Sequence, residues 1–453
     1  MSQSSETGEA PATPDEAEAE AEYERFVWKN LPRNFAGHFL HGMLGMTGFR
    51  LFNAPTFLPA YLHLLSGSDF IVGLGQSLQQ LGGVISPVIG ATHIEHRKRV
   101  LPVAMLMGTL MRIQILGVAV AGFILHGYPL LITILVFLFL LGLFSGPQSV
   151  AFQLLLAKVI PIVRRGRLQA LRNVTGGAIA AGLAWFAGRY LIQRNVFGNG
   201  YGTTFLLAFV LTSLGLTALR VLMREPIPPT IRAKARIIDR VREFPTLLTA
   251  DRGFMFFMVA LTLAVAGRVA APFYILYAGH SMPLDGKNLG LVSLAFLGAD
   301  TVTNLGWGLA GDRFGFRSTF VGSLILWIAA TVLLMGAPSM PGLHLSSIGG
   351  YTLGVHGLIF AAFFGLGAAQ SGFMMSSQTM VLEFGARDDI AMRLALTSTA
   401  QGAMSAIGPL AGGLLAATLG YQVLFSVSIG FLIVALVVLL LLVEEPRFRR
   451  AVA

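Results

Sequence analysis

The sequence predicts an all-α polytopic membrane protein, with 12 transmembrane helices in two pseudo-symmetric six-helix halves. Three observations predict it. Hydrophobic residues make up 55% of the chain and charged residues only 12%, whereas about a quarter of a soluble domain is charged. About twelve apolar runs fit within the 453 residues, each near the roughly 20 residues a spanning helix needs. The second six runs repeat features of the first, the mark of a membrane protein built from two internal repeats.

Residues 1–24 hold eight acids and no Lys or Arg, which reads as a disordered acidic tail. It lacks the basic start of a cleaved signal peptide. The N-terminal half, residues 25–223, opens on Arg25, Lys29 and Arg33. Spans 1 to 6 lie at about 35–63, 69–93, 100–126, 129–157, 168–192 and 203–223. A basic linker at 224–252 is broken by Pro226, Pro228 and Pro229. Within it, 231–243 reads as an interfacial amphipathic helix. The C-terminal half, residues 253–443, carries spans 7 to 12 at about 254–280, 287–311, 318–338, 354–381, 391–418 and 421–443. A basic tail, 444–453, ends the chain.

Charge sets the expected orientation. The loops at 96–99, 158–172, 313–317 and 387–393 are basic, as are the linker and the tail. The opposite loops offer only Arg189, Arg194 and Lys287. Basic loops are retained in the cytoplasm, so both termini are expected there, in a bacterial-type inner membrane. This also accounts for the sequence pI of about 10.2, and no nucleic-acid partner is expected. There are no cysteines, which excludes disulfides and thiol chemistry. No metal-ligand spacing, phosphate loop or nucleophile elbow is present, so no metal, cofactor or enzymatic activity is expected.

The repeat is visible in particular residues. Arg33-x-Phe35 with Arg50 and Pro55 in span 1 matches Arg252-x-Phe254 with Arg268 and Pro272 in span 7. Gly146-Pro147-Gln148-Ser149 in span 4 matches Ala368-Ala369-Gln370-Ser371 in span 10. Between spans 8 and 9 stands Gly308-x-x-x-Asp312-Arg313-x-Gly315-x-Arg317. There Gly308 would let a neighbouring helix approach, and Gly315 would permit a tight turn. Asp312 would meet the positive end of another helix, and Arg313 and Arg317 would hold the loop in the cytoplasm.

This stretch resembles the loop signature of the major facilitator superfamily, and the resemblance extends over about residues 33–444. The loop after span 2, Gly90 to Arg99, is a degenerate counterpart. The resemblance implies alternating access, with spans 1, 4, 7 and 10 around a central cavity. Each of those spans carries a central polar side chain: Arg50, Gln148, Arg268 and Gln370. Asn53 lies three residues from Arg50, on nearly the same face. These five are the expected substrate-binding residues. Gly308, Asp312, Arg313, Gly315 and Arg317 form the expected gating loop. Span 11 adds Gly408-Pro409-x-x-Gly412-Gly413, a motif that superfamily antiporters carry in span 5. Here span 5 has Gly176 and Gly177 without the Pro, a departure from the antiporter pattern.

Ionisable residues at membrane depth are costly and usually functional. Asp300 lies twelve residues before Asp312, about 18 Å along the helix. As the one acid at the midplane it can load and release a proton. Three arginines, Arg50, Arg112 and Arg268, face it. The excess positive charge points to an anionic substrate, since the guanidinium fork suits carboxylate or phosphate. Arginines in spans 1 and 7 have a positional parallel in organophosphate–phosphate antiporters of the superfamily. Two structural alternatives stand beside this. Asp300 could pair with Arg268, and Arg112 could bind backbone carbonyls or Gln114. His38 and His41 read as interfacial packing.

The expected function is secondary transport of a small organic, anionic or amphipathic solute, coupled to H+, by a monomer in the lipid bilayer. A multidrug efflux pump, working as a proton antiporter, is the second reading. A non-transporting receptor or assembly factor on the same fold is the remote one.

Overall fold

The computed structural model describes residues 14–94, 97–227, 251–340, 347–348, 351–352, 354–384 and 390–445. The amphipathic helix expected at 231–243 and the tail arginines Arg447, Arg449 and Arg450 lie outside them. The described residues form 12 spans. Span 1 comprises the helices Pro14–Phe52 and Phe57–Ser66. Spans 2 to 6 are Asp69–Ile94, Leu101–Ile124, Gly127–Val159, Ile162–Phe186 and Gly200–Leu222. Span 7 runs from Arg252–Gly267 through a 3-10 turn, Arg268–Phe273, into Tyr274–Ala278. Spans 8 to 12 are Gly286–Phe314, Phe316–Gly336, Val355–Glu383, Ile390–Leu419 and Tyr421–Leu441. A two-residue hairpin pairs Ser347–Ile348 with Tyr351–Thr352 between spans 9 and 10.

The first helix begins well before the expected membrane boundary. Residues 14–24, expected to be disordered, are its opening turns. Tyr23 Oη donates to the Lys158 carbonyl at 2.9 Å and ties this extension to the end of span 4.

Nine described helices are long and apolar enough by composition alone to cross a membrane. Spans 1, 2 and 5 fall outside that group. Spans 1 and 5 carry charges such as Arg50 and Arg172, and span 2 is rich in glutamine.

Helix pairing repeats between the halves. Span 1 packs on 5 and 6, span 2 on 4, and span 3 on 4 and 6; span 7 packs on 11 and 12, span 8 on 10, and span 9 on 10 and 12. The halves meet through two related pairs, 2 with 11 and 5 with 8. Small residues allow that approach. A Cβ at Gly188 would lie 2.4 Å from the Gly286 carbonyl oxygen and Gly290 Cα, and one at Gly73 would lie 2.2 Å from the Pro409 carbonyl oxygen.

The matched prolines break matched helices. Pro55 interrupts span 1 at residues 53–56, and Pro272 sits in the 3-10 segment of span 7. Proline lacks the N–H that continues a helix and disfavours the α conformation of the residue before it. Arg50 and Arg268 stand beside these two breaks.

Candidate functional site

A cavity of about 780 Å³ lies between the halves. Five of the six sequence-predicted midplane residues line it: Arg50, Asn53, Arg268, Asp300 and Gln370. It extends to Gln169 and Asn173 in span 5 and to Gln378 and Thr379 in span 10, close to the basic loops. On the opposite side the halves are in contact. Thr56 and Ser293 share a hydrogen bond, Leu410 N–H donates to Ser77 Oγ at 2.8 Å, and Tyr421 Oη donates to Asp69 Oδ1 at 2.7 Å. The cavity therefore opens toward the basic face.

The two arginines have different surroundings. Arg50 Nη1 lies 3.1 Å from Asp300 Oδ2 and donates to Thr301 Oγ1 at 3.3 Å. Both residues of the pair are partly buried, with side chains 25% and 17% exposed. This pair crosses between the halves, and it replaces the Arg268–Asp300 pairing considered from sequence. Arg50 leaves span 1 just before the proline break, where the helix end turns its side chain toward span 8.

Arg268 has no hydrogen bond or ion pair among the described residues, and its Nε is buried without a partner. Its guanidinium carbon lies 4.9 Å from the ring centre of Phe373 and 5.4 Å from that of Trp327. Trp327 is held in turn, as its indole N–H donates to Tyr274 Oη at 3.1 Å. Tyr274 Oη also bonds Thr331 Oγ1 at 3.0 Å. The result is a cation set against two rings that meet edge to face, with centres 6.3 Å apart.

Gln148 does not line the cavity. It is 8% exposed, and its Oε1 is buried without a partner. Its counterpart Gln370 does line it. Equivalent positions in a repeat do not fix equivalent rotation, and span 4 is drawn tightly onto span 2, where a Cβ at Gly142 would lie 1.9 Å from the Gln79 carbonyl oxygen. Asn53 Oδ1 accepts from Gln79 Nε2 at 2.8 Å.

Arg112 is buried and binds carbonyls, Thr212 O from Nε and Gly108 O from Nη1, both at 2.7 Å. This is the structural alternative read from sequence. His38 and His41 are buried inside the N-terminal half, and His41 stacks on Phe152 at 4.3 Å. They pack in the core rather than at an interface with the membrane surface.

The gating loop is built differently from its expected form. Gly308 does not mark a close helix approach, since a Cβ there would meet only Met375, at 3.8 Å. Gly315 does turn the chain, at φ +87°. Arg313 lies over Phe314, 5.2 Å from its ring centre, and Asp312 is exposed. Arg317 caps span 12: its Nε and Nη2 donate to Leu439 O at 3.1 Å and Leu440 O at 2.8 Å. Its backbone N–H donates to Glu445 at 3.1 Å. The N-terminal half repeats the glutamate contact, while the arginine that caps its last span comes from span 1. Glu225 accepts from Val100 N–H at 2.6 Å and Leu101 N–H at 2.8 Å, and pairs with Lys158 at 3.1 Å. Arg33 donates to Leu222 O and Val221 O, both at 3.0 Å.

Sequence reasoning missed the two glutamates. Their signal was the repeated Glu-Pro, Glu225-Pro226 and Glu445-Pro446, just after spans 6 and 12. It also missed Gln76 and Gln80 of span 2 and the contact of Arg268 with Trp327 and Phe373.

Fold and cavity together define a polytopic helical protein of two repeated halves with a polar, charged central chamber. Residues 253–452 match the model of the Major Facilitator Superfamily. Beyond that matched part, the chain shares its fold with solved transport proteins. It superimposes on a D-xylose-proton symporter with TM-score 0.65 and 14% identity, covering 93% of this chain and 98% of the other. For the nucleoside transporter NupG the values are 0.63 and 13%, covering 90% and 97%. For a bacterial homologue of the iron transporter ferroportin, in its inward-facing state, they are 0.65 and 15%, covering 90% and 98%. Among curated sequences, uncharacterized proteins of Mycobacterium tuberculosis and Mycobacterium bovis are 26% identical over 198 residues, 44% of this chain. That match spans 38% of the relatives' own length.

Proposed function

We propose that this protein is a secondary transporter that moves a small organic anion across a bacterial-type inner membrane by alternating access, coupled to protons through Asp300. The observation that carries the reading is the Arg50–Asp300 pair, 3.1 Å long, which joins the two halves at the wall of a cavity open on one side. With Asp300 ionised, the pair ties span 1 to span 8. A proton on Asp300 removes the charge that holds Arg50, and the tie loosens. A group that binds a proton in one conformation and an arginine in another couples proton movement to rocking of the halves. The neighbouring folds include a D-xylose-proton symporter, which is in keeping with this reading.

On the basic-loop asymmetry, the open face is cytoplasmic, both termini lie on that side, and the structure represents an inward-facing state. The substrate residues are Arg50, Asn53, Arg268 and Gln370; Gln148 acts behind the wall. The loop at Gly308, Asp312, Arg313, Gly315 and Arg317 sets the balance between conformations through the cap on span 12. The transporter works as a monomer, since each chain encloses its own cavity.

Efflux of amphipathic drugs is the second reading. Met46, Met374, Met375 and Met404 on the cavity wall favour it, because methionine adapts to varied apolar shapes.

Purified protein in liposomes decides between them. Uptake of radiolabelled organic acids driven by an imposed pH gradient supports the proposal. Transport of hydrophobic cations, indifferent to organic acids, refutes it in favour of efflux.

A further inference from the structure

The charges on the cavity wall can be counted. Among the described lining residues they are Arg50, Arg268 and Asp300. Arg50 and Asp300 are spent on one another. Arg268 alone is left uncompensated, set against Phe373 and Trp327 with no hydrogen bond among the described residues. An unpaired guanidinium in a partly dry chamber is costly, and ring contacts recover only part of that cost. The missing element is one negative charge.

We infer that the cavity selects a monocarboxylate, anchored on Arg268, and that ionised Asp300 excludes doubly charged anions such as phosphate monoesters. This rests on the anion-transporter reading and narrows it. A carboxylate offers two oxygens to the planar fork, the fit that favours arginine over lysine. A second negative charge would have to face Asp300, whose partner Arg50 is already taken. The body of the substrate would lie among amides, Gln76, Asn304 and Gln370, and the sulfurs of Met374 and Met375. The filter acts while Asp300 is ionised, so the anion binds first and the proton follows; together they add one negative and one positive charge, and loaded and empty carriers close with the same net charge.

The test is ligand-induced thermal stabilisation of the purified full-length protein in detergent at neutral pH, where a ligand that binds the folded state raises its melting temperature. The probes are benzoate, gluconate, succinate, glycerol 3-phosphate, glucose and tetraphenylphosphonium. Stabilisation by benzoate or gluconate, at concentrations roughly tenfold or more below those needed for succinate or glycerol 3-phosphate, is expected. Arg268→Gln should abolish it, and Arg268→Lys should restore it in part. Asp300→Asn leaves two uncompensated guanidinium groups and should bring glycerol 3-phosphate level with or ahead of the monocarboxylates. The wild-type and Asp300→Asn comparisons keep the test decisive if Arg268→Gln fails to fold. Wild-type preference for glycerol 3-phosphate or succinate overturns the charge filter while leaving an anion transporter. Stabilisation by glucose or tetraphenylphosphonium alone overturns both readings. Absence of any effect from both monocarboxylates overturns the inference.

Discussion

Arg50 of span 1 and Asp300 of span 8 stand 3.1 Å apart across the boundary between the halves. In the sequence they are separated by 250 positions, and only the pseudo-symmetric packing of two six-helix halves brings them together. The pair is polar on both sides, partly wet, and placed where relative rocking of the halves would stretch it.

The pair should therefore behave as a unit. Asp300→Asn or Arg50→Gln alone strands a partly buried charge, and each should lower stability by about 1–3 kcal/mol. The double variant should lose less than the sum, with a coupling of about 0.5–3 kcal/mol. Thermal unfolding of the four proteins in one detergent measures this. Strict additivity would show that the two groups do not interact.

Coupling gives a separate expectation. Asp300→Asn keeps a hydrogen-bonding side chain but cannot carry a proton at this position. Accumulation driven by a pH gradient should disappear, while exchange of labelled for unlabelled substrate across liposomes should persist. Wild-type accumulation in this variant would place the proton site elsewhere.

The glutamate caps can be probed in parallel. Glu445 and Glu225 each accept from backbone N–H groups at the start of a helix in the same half, spans 9 and 3. Replacing either with Gln removes a charge next to the positive helix end and should cost about 1 kcal/mol or somewhat more. Because the caps lie far from Arg268, substrate affinity should change little and turnover should fall. Equilibrium binding and initial transport rates separate the two. Lost affinity at constant turnover would tie the caps to the site instead.

How much of this could be read beforehand depends on the interaction. Span positions followed from apolar runs, because the bilayer demands length and hydrophobicity one residue at a time. The matched Arg50 and Arg268, with Pro55 and Pro272, were visible because duplication keeps linear spacing. Rotation about a helix axis was not, so Gln148 was placed on the wall that only Gln370 reaches. The partner of Asp300 was likewise open, since two arginines were available and packing chose between them. Arg317 looked like a topological charge, and its cap on Leu439 and Leu440 required knowing where span 12 ends.

The last prediction concerns the closed face. Asp69, in the first turn of span 2, accepts from Tyr421 Oη at 2.7 Å and lies 3.2 Å from His63 Nδ1. Tyr421 belongs to the C-terminal half, so this hydrogen bond spans the halves where spans 2 and 11 close the cavity. A carboxylate acceptor makes it stronger than a neutral hydrogen bond, about 1.5–3 kcal/mol. Tyr421→Phe removes the donor and keeps the ring, which packs 5.8 Å from Tyr277 and 6.2 Å from Phe425. If the bond holds this face shut, its loss should shift the population toward the alternative conformation by roughly tenfold, since 1.4 kcal/mol is a factor of ten. The chain has no cysteines, so a single Cys introduced at Gln76 on the cavity wall reports access cleanly. Labelling of that Cys by a membrane-impermeant maleimide, added from the face opposite the basic loops, should rise in Tyr421→Phe. Asp69→Asn keeps an acceptor for Tyr421 but loses the charge, and should raise it less. Labelling equal to the parent in both variants would remove this hydrogen bond from the gate and leave closure to the glycine contacts of spans 2, 5, 8 and 11.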